Sequence, residues 1–438
     1  MADDRPGTAG PRPRPLHSDP AVVALLASVL CSTAALMAQV TALGKQVYDL
    51  TGRELDLGWL GLAEFAPAAL LVLVTGAVAD RHERRTVGAW ASLAQAAAAG
   101  GLALYTGTRP TATGPIFALV FAFGAARAFA FPAIRALPAD VVGPDRLPAL
   151  MPRFSAAFQA GVVTGPLLGG FLYAADPRLP YLASAALLTA SAGLLLPVRS
   201  RAGGPQPAVP APPEPLAGHA EAPSGARATL GEAVEGIRLI RRQPVLLGAI
   251  SLDLFAVLFG GALALLPAIA TDRLGVDAVG LGWLRAAGGI GAGAVTLALA
   301  ARPFHRRVGP TLFAVVAAFG AATVVLGLTR DFSVAFLAMA VLSGADAVSV
   351  YIRSTLVPLV TPRVMRGRVM AVESVFIGAS NELGAFESGV AGQLLGPSAA
   401  VVLGGAATLA VAGAWAVLFP GLRRIDRFPP GEAQPHGP

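Results

Sequence analysis

Runs of about 20 mostly apolar residues recur along the whole chain, separated by short segments rich in arginine, and this leaves few folds open. A helix needs about 20 such residues to cross a bilayer, and inside it every backbone N–H and C=O must be bonded internally. The runs fall near 21–44, 57–79, 86–106, 113–137, 153–174 and 179–198, and then near 246–270, 279–301, 309–328, 332–358, 369–395 and 398–420. Six and six predict an all-α membrane protein with twelve transmembrane helices in two pseudo-symmetric six-helix halves.

Composition agrees. The 438 residues are 55% hydrophobic and 13% charged, against roughly 25% charged in a soluble domain. So little chain remains outside the runs that a catalytic module, and hence an enzyme, is not expected. The single cysteine, Cys31, excludes an internal disulfide and a cysteine-built zinc site. The chain also carries no G-x-x-x-x-G-K-S/T loop for a nucleotide's phosphates. No cofactor and no metal are therefore expected, and an ion gradient is the expected energy source.

The net charge of +7 and the pI near 10.4 are compatible with nucleic-acid binding, but the arginines cluster between apolar runs, where membrane topology accounts for them. With the amino terminus inside, 23 of the 33 Lys and Arg fall on inside segments and six on outside loops. The other four, Arg127, Arg135, Arg285 and Arg353, lie within helices. The expectation is a multi-pass inner-membrane protein with both termini cytoplasmic.

The first 20 residues, with Pro11, Pro13, Pro15 and Pro20, lack the apolar centre of a cleavable signal and read as a disordered cytosolic tail. Residues 21–198 form the first bundle and 246–420 the second, with 421–438 a cytosolic tail. Between the bundles, 199–245 begins rich in Pro, Ala and Gly and reads as a flexible cytoplasmic linker. It ends in Thr229 to Arg242, where Leu230, Val234, Ile237 and Arg241 recur at helical spacing, the pattern of an interfacial amphipathic helix.

The halves echo each other. Leu57-Gly58-Trp59-Leu60 opens the second helix and Leu281-Gly282-Trp283-Leu284 the eighth, 224 residues later. Gly124 and Pro138 in the fourth helix are matched by Gly344 and Pro358 in the tenth. This is the signature of a parallel duplication around a central cavity, with the binding site near mid-membrane.

Between the second and third helices stand Gly76, Asp80, Arg81, Arg84 and Arg85. The charges of this tight loop can pair with neighbouring helix ends and bias one conformation, a plain positive-inside anchor being the alternative. The loop also resembles the loop signature of the major facilitator superfamily, G-x-x-x-D-R-x-x-R-R/K, and the resemblance implies a gating role for those five residues. The equivalent loop of the second half keeps Arg302, Arg306 and Arg307 but has no acid at the place of Asp80, so the two halves are expected to gate unequally.

In the fifth helix Gly161, Gly165, Pro166, Gly169 and Gly170 form G-x-x-x-G-P-x-x-G-G. A stripe of small residues permits close helix packing. It also looks like the antiporter motif of drug/proton exporters in that superfamily, with Pro152 where the fuller pattern has glycine. Arg366-Gly-Arg368-Val-Met-Ala and Ser380-Asn-Glu-Leu-Gly384 extend the resemblance to the enterobactin-exporter-like and macrolide-efflux-like branch. That branch implies proton-driven efflux of amphiphilic compounds such as siderophores and antibiotics, with a small molecule, protons and membrane lipids as partners, no nucleic acid, and a monomer. A lipid or lysolipid transporter or a nutrient importer of the same fold stays open, as does a receptor or scaffold without transport.

Ionisable groups inside membrane helices are costly and mark substrate or proton pathways. Glu64, Asp253, Asp346 and Glu382 are the candidates for proton exchange, with Glu373 and Glu387 beside them in the eleventh helix. At 100° per residue Glu382 points opposite Glu373, so one helix cannot present both to the cavity. Asp346 and Arg353, seven residues apart on one face, are also readable as a structural ion pair. Arg127 is the expected anchor for an anionic substrate group or for a coupling carboxylate. Gln39 and Gln159 offer polar contacts to a substrate or satisfied interhelical hydrogen bonds.

The topology is testable by labelling. In a Cys31→Ser background, a cysteine at Thr108 should react with a membrane-impermeant maleimide from outside intact cells. One at Arg302 should react only after permeabilisation, and labelling of both from the same side would reject the assignment.

Overall fold

The computed structural model describes residues 16–198, 230–261 and 263–429. The first set of helices is α1 (Pro20–Thr51), α2 (Glu54–Arg81), α3 (Arg84–Gly107), α4 (Gly114–Val141), α5 (Leu147–Ala175) and α6 (Leu179–Leu195). Then come α7 (Leu230–Arg242), α8 (Pro244–Phe259) and the short α9 (Leu266–Ala268), which runs into a π turn at Ile269–Arg273. The chain continues through α10 (Ala278–Ala301), α11 (Val308–Leu328), α12 (Phe332–Val360), α13 (Arg366–Leu395), α14 (Pro397–Leu418) and α15 (Pro420–Arg423).

Among the described residues, eight helices are individually long and apolar enough to cross a membrane, and α7 with α8 adds a ninth as a pair bent by 107°. Acidic residues lower the hydropathy of α13, α6 has 17 residues, and several side chains of α2 lie outside the described residues. These three and α8 nonetheless pack into the same bundles: α2 on α4, α6 on α1 and α3, α8 on α13 and α14.

The packing repeats. In the first half α1 meets α5 and α6, α2 meets α4, and α3 meets α4 and α6. In the second, α8 meets α13 and α14, α10 meets α12, and α11 meets α12 and α14. Shifting each member of the first set to its counterpart reproduces the second set. The main contacts between halves obey the same rule, since α5 packs on α10 and α2 on α13.

The duplicated tetrapeptides sit at these two interfaces, which explains their likeness. A Cβ on Gly282 would lie 3.2 Å from the Gly170 Cα and 2.6 Å from the Pro166 carbonyl, so α10 touches α5 backbone to backbone. At the equivalent place a Cβ on Gly389 of α13 would lie 2.9 Å from the Gly58 Cα on α2. The indole of Trp59 packs edge-on against Phe386 there, with ring centroids 5.0 Å apart.

The glycine stripe of α5 thus works in two directions. Gly161, Gly165 and Gly169 face α1, where added Cβ atoms would lie 2.6 Å from the Thr33 Cβ, 2.6 Å from the Met37 Cβ and 2.9 Å from the Ala38 Cα. Pro166 and Gly170 turn toward α10. Without a hydrophobic force between helices in lipid, close approach of small residues supplies the association energy.

Several local features differ from what the sequence predicts. Order begins before residue 21: Leu16–Ser18 form a 3-10 turn, and Asp19 caps α1 by accepting from the Ala21 N–H at 3.2 Å. Asp19 before Pro20 is a strong helix-start signal, and its carboxylate also faces Arg146 at 3.7 Å. The run 246–270 is not one helix, because α8 stops at Gly260. Gly261 there abuts the Gly384 carbonyl on α13, and Pro267 resists α geometry in the residue before it.

The second-half loop lacks its own acid but receives one from the chain's end. Asp426 accepts the Arg307 N–H at 3.2 Å and faces Arg306 at 3.7 Å. Leu422 is buried against α11, so residues 421–429 pack back on the bundle. The amphipathic helix is present as α7, with Val234 and Ile237 exposed and Ile240 buried. Glu235 pairs with Arg368 on α13.

Gly165→Ala should lower stability by about 1–3 kcal/mol through forced displacement of α1, read as a drop in the melting temperature of the purified protein. Gly193→Ala meets nothing within 4 Å and should leave it unchanged. Equal melting temperatures would remove the close-packing account of the stripe.

Candidate functional site

Gly124 sets the site's geometry: its bare Cα lets α4 lie directly on the Glu64 carbonyl of α2. One turn further along α4, the Arg127 Nη1 donates to Glu64 Oε1 at 2.6 Å. Both side chains keep some exposure, 11% and 14%, which suits groups that face a cavity rather than a sealed core. Across the interface α13 brings buried Glu382, whose Oε2 lies 3.0 Å from where a Cβ on Gly61 would stand. The charges of Glu64 and Arg127 both act on it.

The tenth helix adds a fourth charge. The Arg285 side chain lies against Gly44 of α1, its Nη2 3.5 Å from a Cβ built there, within the electrostatic reach of Glu64. Two carboxylates and two guanidiniums, one of each per half, thus gather where α2, α4, α10 and α13 approach. From the sequence, Arg285 counts among the charges inside helices but receives no role. Its membrane position was the available signal.

A second cluster lies inside the second half. Arg353 Nη2 of α12 contacts Asp253 Oδ1 of α8 at 2.7 Å, and its Nη1 stands 3.9 Å from Glu373 Oε1 of α13. The guanidinium is 5% and the Asp253 side chain 7% exposed. Arg353 Nε also donates to Ser349 Oγ at 3.4 Å. Asp346 does not pair with Arg353, because seven residues of helix separate them by about 10 Å along the axis. It lines a small cavity with Asp253, Phe319 and Ser349 instead. Glu382 and Glu373 therefore serve different clusters, as their opposed faces require, and Glu387 is exposed.

The amides divide. Gln159 Nε2 donates to the Gly289 carbonyl of α10 at 2.6 Å, an interhelical bond that joins the two halves. Buried Gln39 leaves its Oε1 without a partner. Near the end of the bundle where α1 stops, the Tyr48 hydroxyl donates to Asp272 in the π turn and adds a further tie between halves.

Of the loop residues, Arg84 pairs with Asp140 on α4 at 3.1 Å. Arg85 holds Glu83 at 2.8 Å and reaches the carbonyls of Leu196 and Val198 beyond α6. The Arg85 guanidinium keeps the Glu83 carboxyl below its ordinary range. The side chains of Gly76, Asp80 and Arg81 lie outside the described residues.

Two repeated helical halves with charges gathered where they meet define a polytopic membrane protein of duplicated architecture. Residues 25–351 match the Major Facilitator Superfamily, and the chain belongs to that family. No curated protein matches it. Solved structures share the fold. A bacterial homolog of the human lysosomal transporter Spinster, inward-facing and unoccupied, is 16% identical with TM-score 0.65, over 96% of this chain and 100% of that one. A POT family transporter in complex with 5-aminolevulinic acid is 11% identical with TM-score 0.69, over 92% and 96%. The nucleoside transporter NupG is 14% identical with TM-score 0.66, over 91% and 99%.

Removing one partner of a buried ion pair costs about 3–5 kcal/mol because the other charge is stranded. Arg353→Met alone should therefore yield markedly less folded protein, while Arg353→Met with Asp253→Leu should regain most of it, measured as monodisperse protein after purification. A double variant as poor as the single would show that the pair is not what the cluster contributes.

Proposed function

We propose that the chain exports an amphiphilic small molecule of drug or siderophore type across the inner membrane by proton-coupled alternating access, with both termini cytoplasmic. The observation that carries the reading is the group of four charges, Glu64, Arg127, Arg285 and Glu382, divided evenly between the halves at the surface where they meet.

Alternating access requires the interface to separate at one end and close at the other. Glu382 stands across the α2 and α13 contact from Glu64 and Arg127, whose charges act on it in opposite senses. Protonation removes the Glu382 charge from that balance, and in a low-dielectric interior charge interactions are strong, so one proton biases how α13 sits against α2. Glu64 keeps Arg127 aligned while this happens.

The close contacts between halves, Gly58 with Gly389 and Gly170 with Gly282, lie toward the end where α1, α5 and α13 stop. The arginine count makes that the outer end, so they serve as the outer gate. The resemblance of the α5 stripe to the antiporter motif supports export. The loop from Gly76 to Arg85 is the inner counterpart, and its Arg84 and Arg85 bonds tie α3 to α4 and α6.

Reconstituted into liposomes with an imposed pH gradient, the protein should move protons when a transported dye or macrolide is added. Glu382→Gln should abolish that proton flux while leaving the protein folded. Undiminished coupled flux in the variant would remove Glu382 from the mechanism.

A further inference from the structure

Among the described residues Arg285 is a cation with nothing to neutralise it directly. Its Nε is buried without a hydrogen-bond partner, and the guanidinium makes no ion pair within 4 Å. Arg127 and Arg353, also within helices, are each bonded to a carboxylate at 2.6 and 2.7 Å. An ionised side chain within a membrane helix is expensive and is ordinarily paired, and arginine stays protonated under all physiological conditions. The imbalance is therefore local and lasting.

Its place in the fold gives the imbalance meaning. Arg285 sits on α10, the helix that packs on α5 of the other half, and its tip rests on Gly44 of α1. Gly44 leaves space where a side chain would meet the guanidinium. Two further unpartnered buried polar atoms belong to helices around α10: Gln39 Oε1 on α1 and Ser343 Oγ on α12, the latter 2.8 Å from where a Cβ on Gly288 would stand. A buried guanidinium nitrogen without a partner, on a helix flanked by two others that each carry an unpartnered polar atom, leaves hydrogen-bonding capacity that a ligand can complete.

We propose that Arg285 is the subsite that binds an oxyanion of the substrate, a carboxylate, sulfonate or phosphate on an apolar body. This rests on the transporter reading above and narrows it to organic anions. It reassigns the anionic anchor from Arg127, whose charge Glu64 already engages, to the arginine of the opposite half. The planar fork of Arg285 suits two oxygens at once. The rival account is that Glu64 swings to Arg285 in another conformation and that no ligand is involved.

The test uses two xanthene dyes of similar shape, fluorescein as the anion and rhodamine 6G as the cation, with full-length protein in liposomes. Dye binding by fluorescence anisotropy and proton flux are followed together. Wild type should bind fluorescein, Arg285→Gln should weaken that binding at least tenfold without altering its melting temperature, and Arg285→Lys should retain part of it. Rhodamine binding should respond to neither substitution.

Displacement of fluorescein by lysophosphatidylglycerol would assign the oxyanion to a lipid, and no displacement would assign it to a soluble compound; the site stands in either case. Rhodamine transport with proton flux but no fluorescein binding would overturn the anion subsite and leave the proposed function intact. Unchanged fluorescein affinity in Arg285→Gln, or full recovery of transport on adding Glu64→Gln to it, would establish the ion-pair account instead. Absence of any dye or proton movement would defeat both readings.

Discussion

In lipid, helices gain nothing by hiding apolar faces from one another, so whatever holds this bundle together must come from close packing and polar bonds. The structure answers with glycine. Gly161, Gly165 and Gly169 let α1 and α5 touch along a stripe, and Gly58, Gly170, Gly282 and Gly389 let the two halves meet backbone to backbone. The other features depend on these approaches, because Arg127 reaches Glu64 only where Gly124 brings α4 onto α2, and Glu382 faces the first half only where Gly61 leaves room.

The same constraint separates the charges by function. The pair of Arg353 and Asp253, almost inaccessible and confined to the second half, has the surroundings of a structural bond. Glu64 and Arg127 are more open, and Glu64 stands on α2, the helix that meets α13 of the other half. Arg285 is partly buried and unpaired. Desolvation is offset by partners in the first case, partly in the second, and in the third by no ion pair among the described residues. That gradient of compensation separates scaffold from working site more clearly than residue type does.

The duplication gives the two halves one plan without making them identical. Arg85 and Glu83 form their ion pair within the first-half loop, whereas the second-half loop borrows Asp426 from the returning carboxyl-terminal segment. The loop alone suggests a missing acid and unequal gating. The tertiary structure supplies that acid from 119 residues away along the chain, a relation no local pattern expresses.

Sequence by itself determined the solvent, the all-helical class, the repeat and the inventory of buried charges, because each depends on local hydropathy and spacing. It also determined that Glu373 and Glu382 cannot share a cavity, since helical periodicity alone sets their opposed directions. Tertiary structure decided the partners. Arg353 stands on the same face as Asp346 yet bonds Asp253, 100 positions earlier, because lateral packing of α8 brings that carboxylate within 2.7 Å while the helix rise keeps Asp346 too distant. Arg127 is engaged and Arg285 left open for the same reason: pairing across helices depends on which neighbours glycine admits, and that is fixed only when the halves assemble.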